Sequence, residues 1–292
     1  VYTQMLNRRG GIECDLTVTR LADDRFLLIT GTAFGQHDLS WLRLHMPEDG
    51  SVLVEDVTSA HACLGLWGPR ARVILQRVSR DDLSNEGFPY MTARRITVGY
   101  VPVLALRVTY VGELGWELYC PMEYGQGLWD TLWEAGEPEG MVPAGYRALD
   151  SLRLEKGYRY WSADVTPDDT PFEAGLGFAV RLDKGEFIGR EALVRQKAEG
   201  IRRKLCCLTL ADPTAVVIGK EPIRLRGSDQ VIGWVTSGGY GYTVSQSIAY
   251  GYLPVEHAAV GTPLEVEILG ERIEAVVARE PLWDPQGERI RA

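Results

Sequence analysis

The sequence predicts an α+β fold, a mixed body over residues 1–197 followed by a small C-terminal β-barrel domain over residues 200–292. Two observations lead there. Helical and strand patterns alternate before Gly200 without a regular βαβ rhythm. After Lys197-Ala198-Glu199-Gly200, almost every apolar segment is short, strand-like and bounded by turn residues.

Leu16 to Arg20 and Phe26 to Thr30 have strand composition around the turn Ala22-Asp23-Asp24-Arg25. Leu39, Leu42 and Met46 recur at helical spacing over residues 35–46. A further strand is expected from Val52 to Val57. Gly68-Pro69 then opens a helix whose stripe is Ile74, Leu75 and Val78. Tyr100 to Cys120 is β-rich and turns at Val111-Gly112-Glu113-Leu114-Gly115. Tyr124, Leu128 and Leu132 make the next helix, with Trp129 and Trp133. The barrel strands are expected at Leu205–Leu210, Ile223–Leu225, Val231–Thr236, Ile248–Leu253 and Leu264–Ile268. Ser237-Gly238-Gly239-Tyr240-Gly241 reads as a hairpin loop: it follows a strand and leads to another, so it is no dinucleotide fingerprint.

Composition narrows the partners. Of 292 residues, 45% are hydrophobic and 24% charged, as in ordinary globular proteins. Thirty-one basic against forty acidic residues give a net charge of -9, which repels nucleic acid and anionic lipid. No apolar run approaches membrane-spanning length. Five cysteines without a CxxC pair argue against a disulfide scaffold or structural zinc. Reduced thiols fit a cytoplasmic or mitochondrial-matrix setting. Four scattered histidines suggest no metal constellation. The chain starts at Val1 rather than Met, within a strand-then-turn pattern, so an N-terminal part is expected to be missing.

Acidic and aromatic residues at element edges remain as candidates. Asp15 follows Gly10-Gly11-Ile12-Glu13-Cys14, where a turn or capping role competes with chemistry. Glu117 alternates with Trp116 and Leu118, and a solvated role competes with binding. Arg153, on the helix Ala148 to Gly157, suits a surface salt bridge equally well. On residue chemistry alone, the site stays open.

Five stretches resemble the glycine-cleavage T-protein superfamily, in the family's order and over essentially the whole chain. They are Met5-Leu6-Asn7 through Leu21, Tyr110 to Glu117, Asp150 to Gly157, Gly175 to Leu193, and Gly233-Trp234-Val235-Thr236-Ser237-Gly238-Gly239. Glu13-Cys14-Asp15, Leu64-Gly65-Leu66-Trp67-Gly68-Pro69 and Tyr158-Arg159-Tyr160-Trp161 look most like the folate-binding half of sarcosine and dimethylglycine dehydrogenases. Lys156-Gly157-Tyr158-Arg159 departs from the signature of the iron–sulfur assembly relatives.

The resemblance implies ferredoxin-like repeats around a central cavity, a C-terminal barrel, and tetrahydrofolate as cofactor. FAD is implied only if a flavin domain lies upstream. The expected activity is formation of 5,10-methylenetetrahydrofolate from an iminium or aminomethyl donor. The implied partners are a small amine or one-carbon donor, and a flavin domain or lipoyl carrier protein. Two alternatives are a folate-dependent S- or O-demethylase and a folate-binding module without catalysis. Asp15 matches the family's catalytic aspartate, where a carboxylate can hydrogen-bond folate N10 and stabilise a passing cation. Glu117 matches the pterin-gripping glutamate, a two-oxygen acceptor for neighbouring N–H donors. Tyr2 and Tyr110 fall at positions like folate-contacting tyrosines. Arg153 matches a motif arginine that could meet a carbonyl or carboxylate of folate, and Trp161, also counted among the implied folate-binding residues, stands where a tyrosine is usual.

Overall fold

The computed structural model describes residues 1–292. In chain order the elements begin with β1 (Tyr2–Leu6), β2 (Ile12–Arg20), β3 (Phe26–Thr30) and α1 (Gly35–His45). There follow β4 (His61–Trp67), α2 (Ala71–Val78), β5 (Ala93–Val98), β6 (Val101–Leu106), β7 (Gly115–Pro121), α3 (Gly125–Gly136) and α4 (Tyr146–Lys156). Next are α5 (Arg190–Glu199), β8 (Arg203–Leu210), β9 (Pro222–Leu225), β10 (Val231–Gly241), β11 (Gln246–Pro254), β12 (Pro263–Ile268) and β13 (Glu271–Val277). No helix is long and apolar enough to cross a membrane.

The chain forms two compact units, Val1–Asp49 with Gly157–Leu282 and Gly50–Lys156 with Trp283–Ala292. The barrel strands begin at Arg203. Residues 1–49 and 157–199 group with the barrel rather than with residues 50–156.

In the first unit, β1, β2 and β3 make an antiparallel sheet, with Gln4 opposite Asp15 and Tyr2 opposite Thr17. The closed barrel has the order β10-β11-β8-β13-β12-β9. Its interior takes alternate residues, including Cys206, Leu208, Ile223, Val235, Leu253, Leu264 and Val266. Closure removes the open strand edges that would otherwise invite pairing with another chain. Residues 237–241 belong to β10, not to a hairpin loop, and they pair with residues 246–250 of β11. Glycine is required there because a methyl group at Gly238 would stand 2.1 Å from Val217 and 2.5 Å from the Ile248 carbonyl.

Two buried charged groups tie the 157–165 segment to the barrel. The Arg159 guanidinium forks onto Glu280, both N–H···O distances being 2.9 Å. Asp164, with no exposed surface, accepts from the Thr236 and Ser237 hydroxyls at 2.6 Å each and from the Tyr160 amide at 3.0 Å.

In the second unit, the antiparallel sheet β4-β7-β6-β5 carries α2 and α3 on one face. Trp116, Leu118 and Cys120 of β7 point into that core with Leu75, Phe88, Leu128 and Leu132. Buried Arg107 donates to the Phe88 carbonyl at 2.7 Å and lies 5.9 Å from the Trp116 ring centroid. The strand expected at Val52–Val57 is absent. Val52 and Leu53 are exposed, and the Asp56 carboxylate caps the Thr58 amide at 3.0 Å instead. The strand begins at His61, where Ala62, Leu64 and Leu66 alternate toward the core and all seven residues pair with β7. Residues 283–292 are fastened to this unit by Lys156–Asp284 at 2.8 Å and by the Trp283 indole donating to Glu113 at 3.1 Å.

Asp164→Ala is expected to lower the unfolding free energy by about 3 kcal/mol, because two hydroxyls and an amide lose a buried acceptor together. Urea unfolding measures it. An unchanged midpoint would mean that the carboxylate does not hold the 157–165 segment.

Candidate functional site

The sequence candidates fall into two groups. Tyr2, Asp15 and Trp161 lie in the first unit; Tyr110, Glu117 and Arg153 lie in the second.

In the first group, β1–β2 pairing sets Gln4 directly across from Asp15, and the Gln4 amide donates to Asp15 Oδ1 at 2.9 Å. The Tyr2 hydroxyl also hydrogen-bonds the Asp15 carboxyl. Burial pushes that carboxyl above its ordinary range, and the Gln4 and Tyr2 bonds oppose the rise by favouring the ionised form. Tyr2 stacks on Phe178 with ring centroids 6.1 Å apart, which restricts where its hydroxyl can point. Asp15 is therefore a held, half-buried carboxyl inside a strand, not the turn or capping residue that the preceding glycines suggested.

Cys14 faces the other side of β2, toward α1, where it meets buried Asp38. The Asp38 carboxylate accepts from the Thr30 hydroxyl and contacts His37 Nδ1 at 2.9 Å, and the Cys14 thiol hydrogen-bonds it. Ligand atoms of Cys14, His37 and Asp38 all lie within 4.8 Å of one another, a grouping that the sequence reading did not foresee. Each is already engaged in this hydrogen-bonded set, which accounts for the buried carboxylate without an ion. Burial and Asp38 push the Cys14 thiol far up, so it is not a ready nucleophile. Trp161 closes this side. Its indole donates to the Ile12 carbonyl at 3.2 Å, with its ring 4.5 Å from Phe34 and 5.2 Å from His37. The tryptophan thus makes a polar contact with backbone.

In the second group, β7 separates two chemistries by strand alternation. Trp116 and Leu118 are fully buried, whereas Glu117 and Tyr119 look out from the opposite face. Glu117 is half-buried, and the Tyr119 hydroxyl donates to its Oε2 at 2.7 Å. Burial raises the Glu117 carboxyl, and the Tyr119 bond partly counters it. β4 supplies the rest of this face: Gly65 lies opposite Glu117 and Cys63 opposite Tyr119. A methyl group at Gly65 would stand 2.3 Å from the Trp67 ring, and one at Gly115 would stand 2.5 Å from it. The two glycines make room for that indole, whose N–H is fixed on the Val108 carbonyl at 3.0 Å. Trp67 is thus a rigid aromatic surface on the same side of β4 as Gly65.

Arg153 is a buried guanidinium on α4, 2% exposed, and its Nε donates to Asp150 at 2.7 Å. Tyr110 lies half-buried in the loop before β7. Sequence reasoning missed Gln4, Trp67 and Tyr119. The i, i+2 alternation from Glu117 could have found Tyr119; nothing local points to Gln4 before the β1–β2 register is known.

Comparison with known proteins gives this geometry a family. The GCVT N-terminal domain model matches residues 1–184, and the glycine cleavage T-protein C-terminal barrel domain model matches residues 203–284. Human mitochondrial dimethylglycine dehydrogenase is 40% identical over 282 residues, covering 96% of this chain and 32% of the relative. The aminomethyltransferase of Caldanaerobacter subterraneus is 35% identical over 277 residues, covering 95% of this chain and 73% of the relative. The crystal structure of the glycine cleavage system aminomethyltransferase T from Bartonella henselae aligns with a TM-score of 0.84 at 29% identity, over 97% of this chain and 76% of that one. The chain spans about a third of the length of the dehydrogenases it matches. With both family domains present in order and the full-length fold in agreement, the chain belongs to the glycine cleavage T-protein family.

Proposed function

We propose that this chain carries out tetrahydrofolate-dependent one-carbon transfer, forming 5,10-methylenetetrahydrofolate from an iminium or aminomethyl donor. The observation that carries the reading is Asp15, a strand-held carboxyl raised by burial and oriented by Gln4 and Tyr2, in a chain of the T-protein family. Tetrahydrofolate, when bound, supplies two nucleophilic nitrogens.

Fit is tested by the donors and acceptors on each unit. Glu117 presents Oε1 without a protein partner while Tyr119 occupies Oε2. A half-buried acceptor of this kind suits the N–H edge of a flat heterocycle. Glu117 is read as the pterin-binding carboxylate, with Tyr110 beside the ligand. Asp15 is read as the group that holds or receives a proton at N10 and stabilises passing positive charge, because a carboxyl can accept a proton and its anion can face a cation. Arg153 is too deeply buried to reach out freely, so its role is to orient Asp150 and the end of α4. Trp161 contributes by packing, and Tyr2 by contacting ligand and Asp15 alike.

The dehydrogenase names of the long relatives suggest where the one-carbon unit originates. In this reading a flavin-bearing partner region supplies the iminium. A lipoyl carrier would play the corresponding part for the aminomethyltransferases.

Glu117→Gln exchanges an acceptor oxygen for an amide that faces a donor. Tetrahydrofolate affinity should fall by about 30-fold, on the order of 2 kcal/mol. Calorimetry showing wild-type affinity would return Glu117 to a merely solvated role.

Asp15→Asn should leave affinity nearly unchanged while transfer from formaldehyde and a secondary amine drops roughly 100-fold. Equal losses in both would make Asp15 an anchor instead. The same substitution should stabilise the fold. A carboxyl whose folded pKa is raised makes the protein most stable below the ordinary carboxylate range, and that stability is lost as pH rises through the folded pKa. The Asn variant escapes that loss, so at pH 7 it should gain about 0.5–1 kcal/mol, an advantage that disappears in acid. Thermal unfolding against pH reads the difference.

A further inference from the structure

Beyond the residues already assigned, the outward face of β7 carries a polar pair with one direction. The Tyr119 hydroxyl has a single proton, and it goes to Glu117 Oε2 at 2.7 Å. Directly across the sheet, Glu117 faces Gly65 on β4 and Leu106 on β6, and Tyr119 faces Cys63 and Leu104.

We propose that Tyr119 is the positioning residue for Glu117, fixing the carboxylate so that Oε1 is presented to the ligand's N–H edge. This rests on the folate reading above for the identity of the ligand, but not for the Tyr119–Glu117 bond itself, which is built into the ligand-free chain.

Three features support the assignment. A glutamate has three rotatable bonds, and one strong bond to Oε2 fixes the plane in which Oε1 lies. The phenol is a rigid arm on the same strand two residues away, so the sheet itself sets the approach. Burial disfavours ionisation of Glu117, and the Tyr119 hydroxyl is the group that opposes it.

The test is a pair of measurements on the full chain. The first titrates the Glu117 carboxyl by carbon NMR on glutamate-labelled protein without ligand, its signal identified by its loss in Glu117→Gln. The second records tetrahydrofolate affinity against pH. Tyr119→Phe should move the Glu117 midpoint further up and carry the acid limb of the affinity profile to higher pH. At pH 7 affinity should fall about tenfold, the usual cost of losing one charge-assisted bond. Tyr119→Leu, which also removes the hydroxyl, should shift both curves the same way and serves as the probe should Tyr119→Phe fail to fold.

Unmoved Glu117 midpoints in both variants would overturn the assignment, whatever the protein binds. Shifted midpoints in the variants of a chain that binds no tetrahydrofolate would support the Tyr119–Glu117 coupling and refute the folate reading. Shifted midpoints with an affinity profile that stays put would show that Tyr119 sets the charge but not the aim, and would overturn the positioning role.

Discussion

A carboxylate taken out of water must be given donors or surrender its charge, and the organisation of this protein follows from how four of them meet that demand. Asp164 is satisfied completely, by two hydroxyls and a backbone amide, and becomes a structural rivet. Asp38 is satisfied among Thr30, His37 and Cys14 and holds α1 against β2. Asp15 and Glu117 are satisfied only in part, with enough donors to be oriented and too few to be quenched. The difference between a rivet and a carboxyl left with unmet capacity is the number of hydrogen bonds the surroundings provide.

Sheet register is the means by which that number is set. On β7 the core residues Trp116, Leu118 and Cys120 alternate with the outward pair Glu117 and Tyr119. A slip of one residue would exchange the two sets, burying a carboxylate where an indole belongs, so packing enforces the chemistry. The same holds on β2, where Ile12, Cys14 and Leu16 are buried and Asp15 lies between them, facing Gln4. Placing these carboxyls on strands rather than loops costs freedom of approach but fixes their geometry.

Much of this was legible in the amino-acid sequence. The helices α1, α3 and α4 and most barrel strands follow from local periodicity, and the family motifs marked Asp15 and Glu117. What failed depends on partners distant in sequence. Val52–Val57 has strand composition but no strand to pair with, whereas His61–Trp67 has β7. The glycines of 237–241 look like a loop because glycine usually frees a backbone; here they admit Val217 and the Ile248 carbonyl at close range. The burial of Arg153 depends on tertiary packing, since a charged side chain on an amphipathic helix usually faces water. Gln4 and Tyr119 acquire meaning only once a carboxylate is known to lie beside them.

The two compact units are each written in two separated stretches of chain, and the stretches interleave. No single cut therefore releases either unit whole. During synthesis β1–β3 emerge early and must wait for residues beyond 157, while the sheet of the second unit gains its last anchors, Trp283 and Asp284, only near residue 292. Such long loops are closed late and at an entropic cost, so folding of the two units is expected to finish together rather than one after the other. For evolution the same interleaving is a constraint: this module can be joined to other domains at its ends, but it cannot readily be split and shuffled in halves.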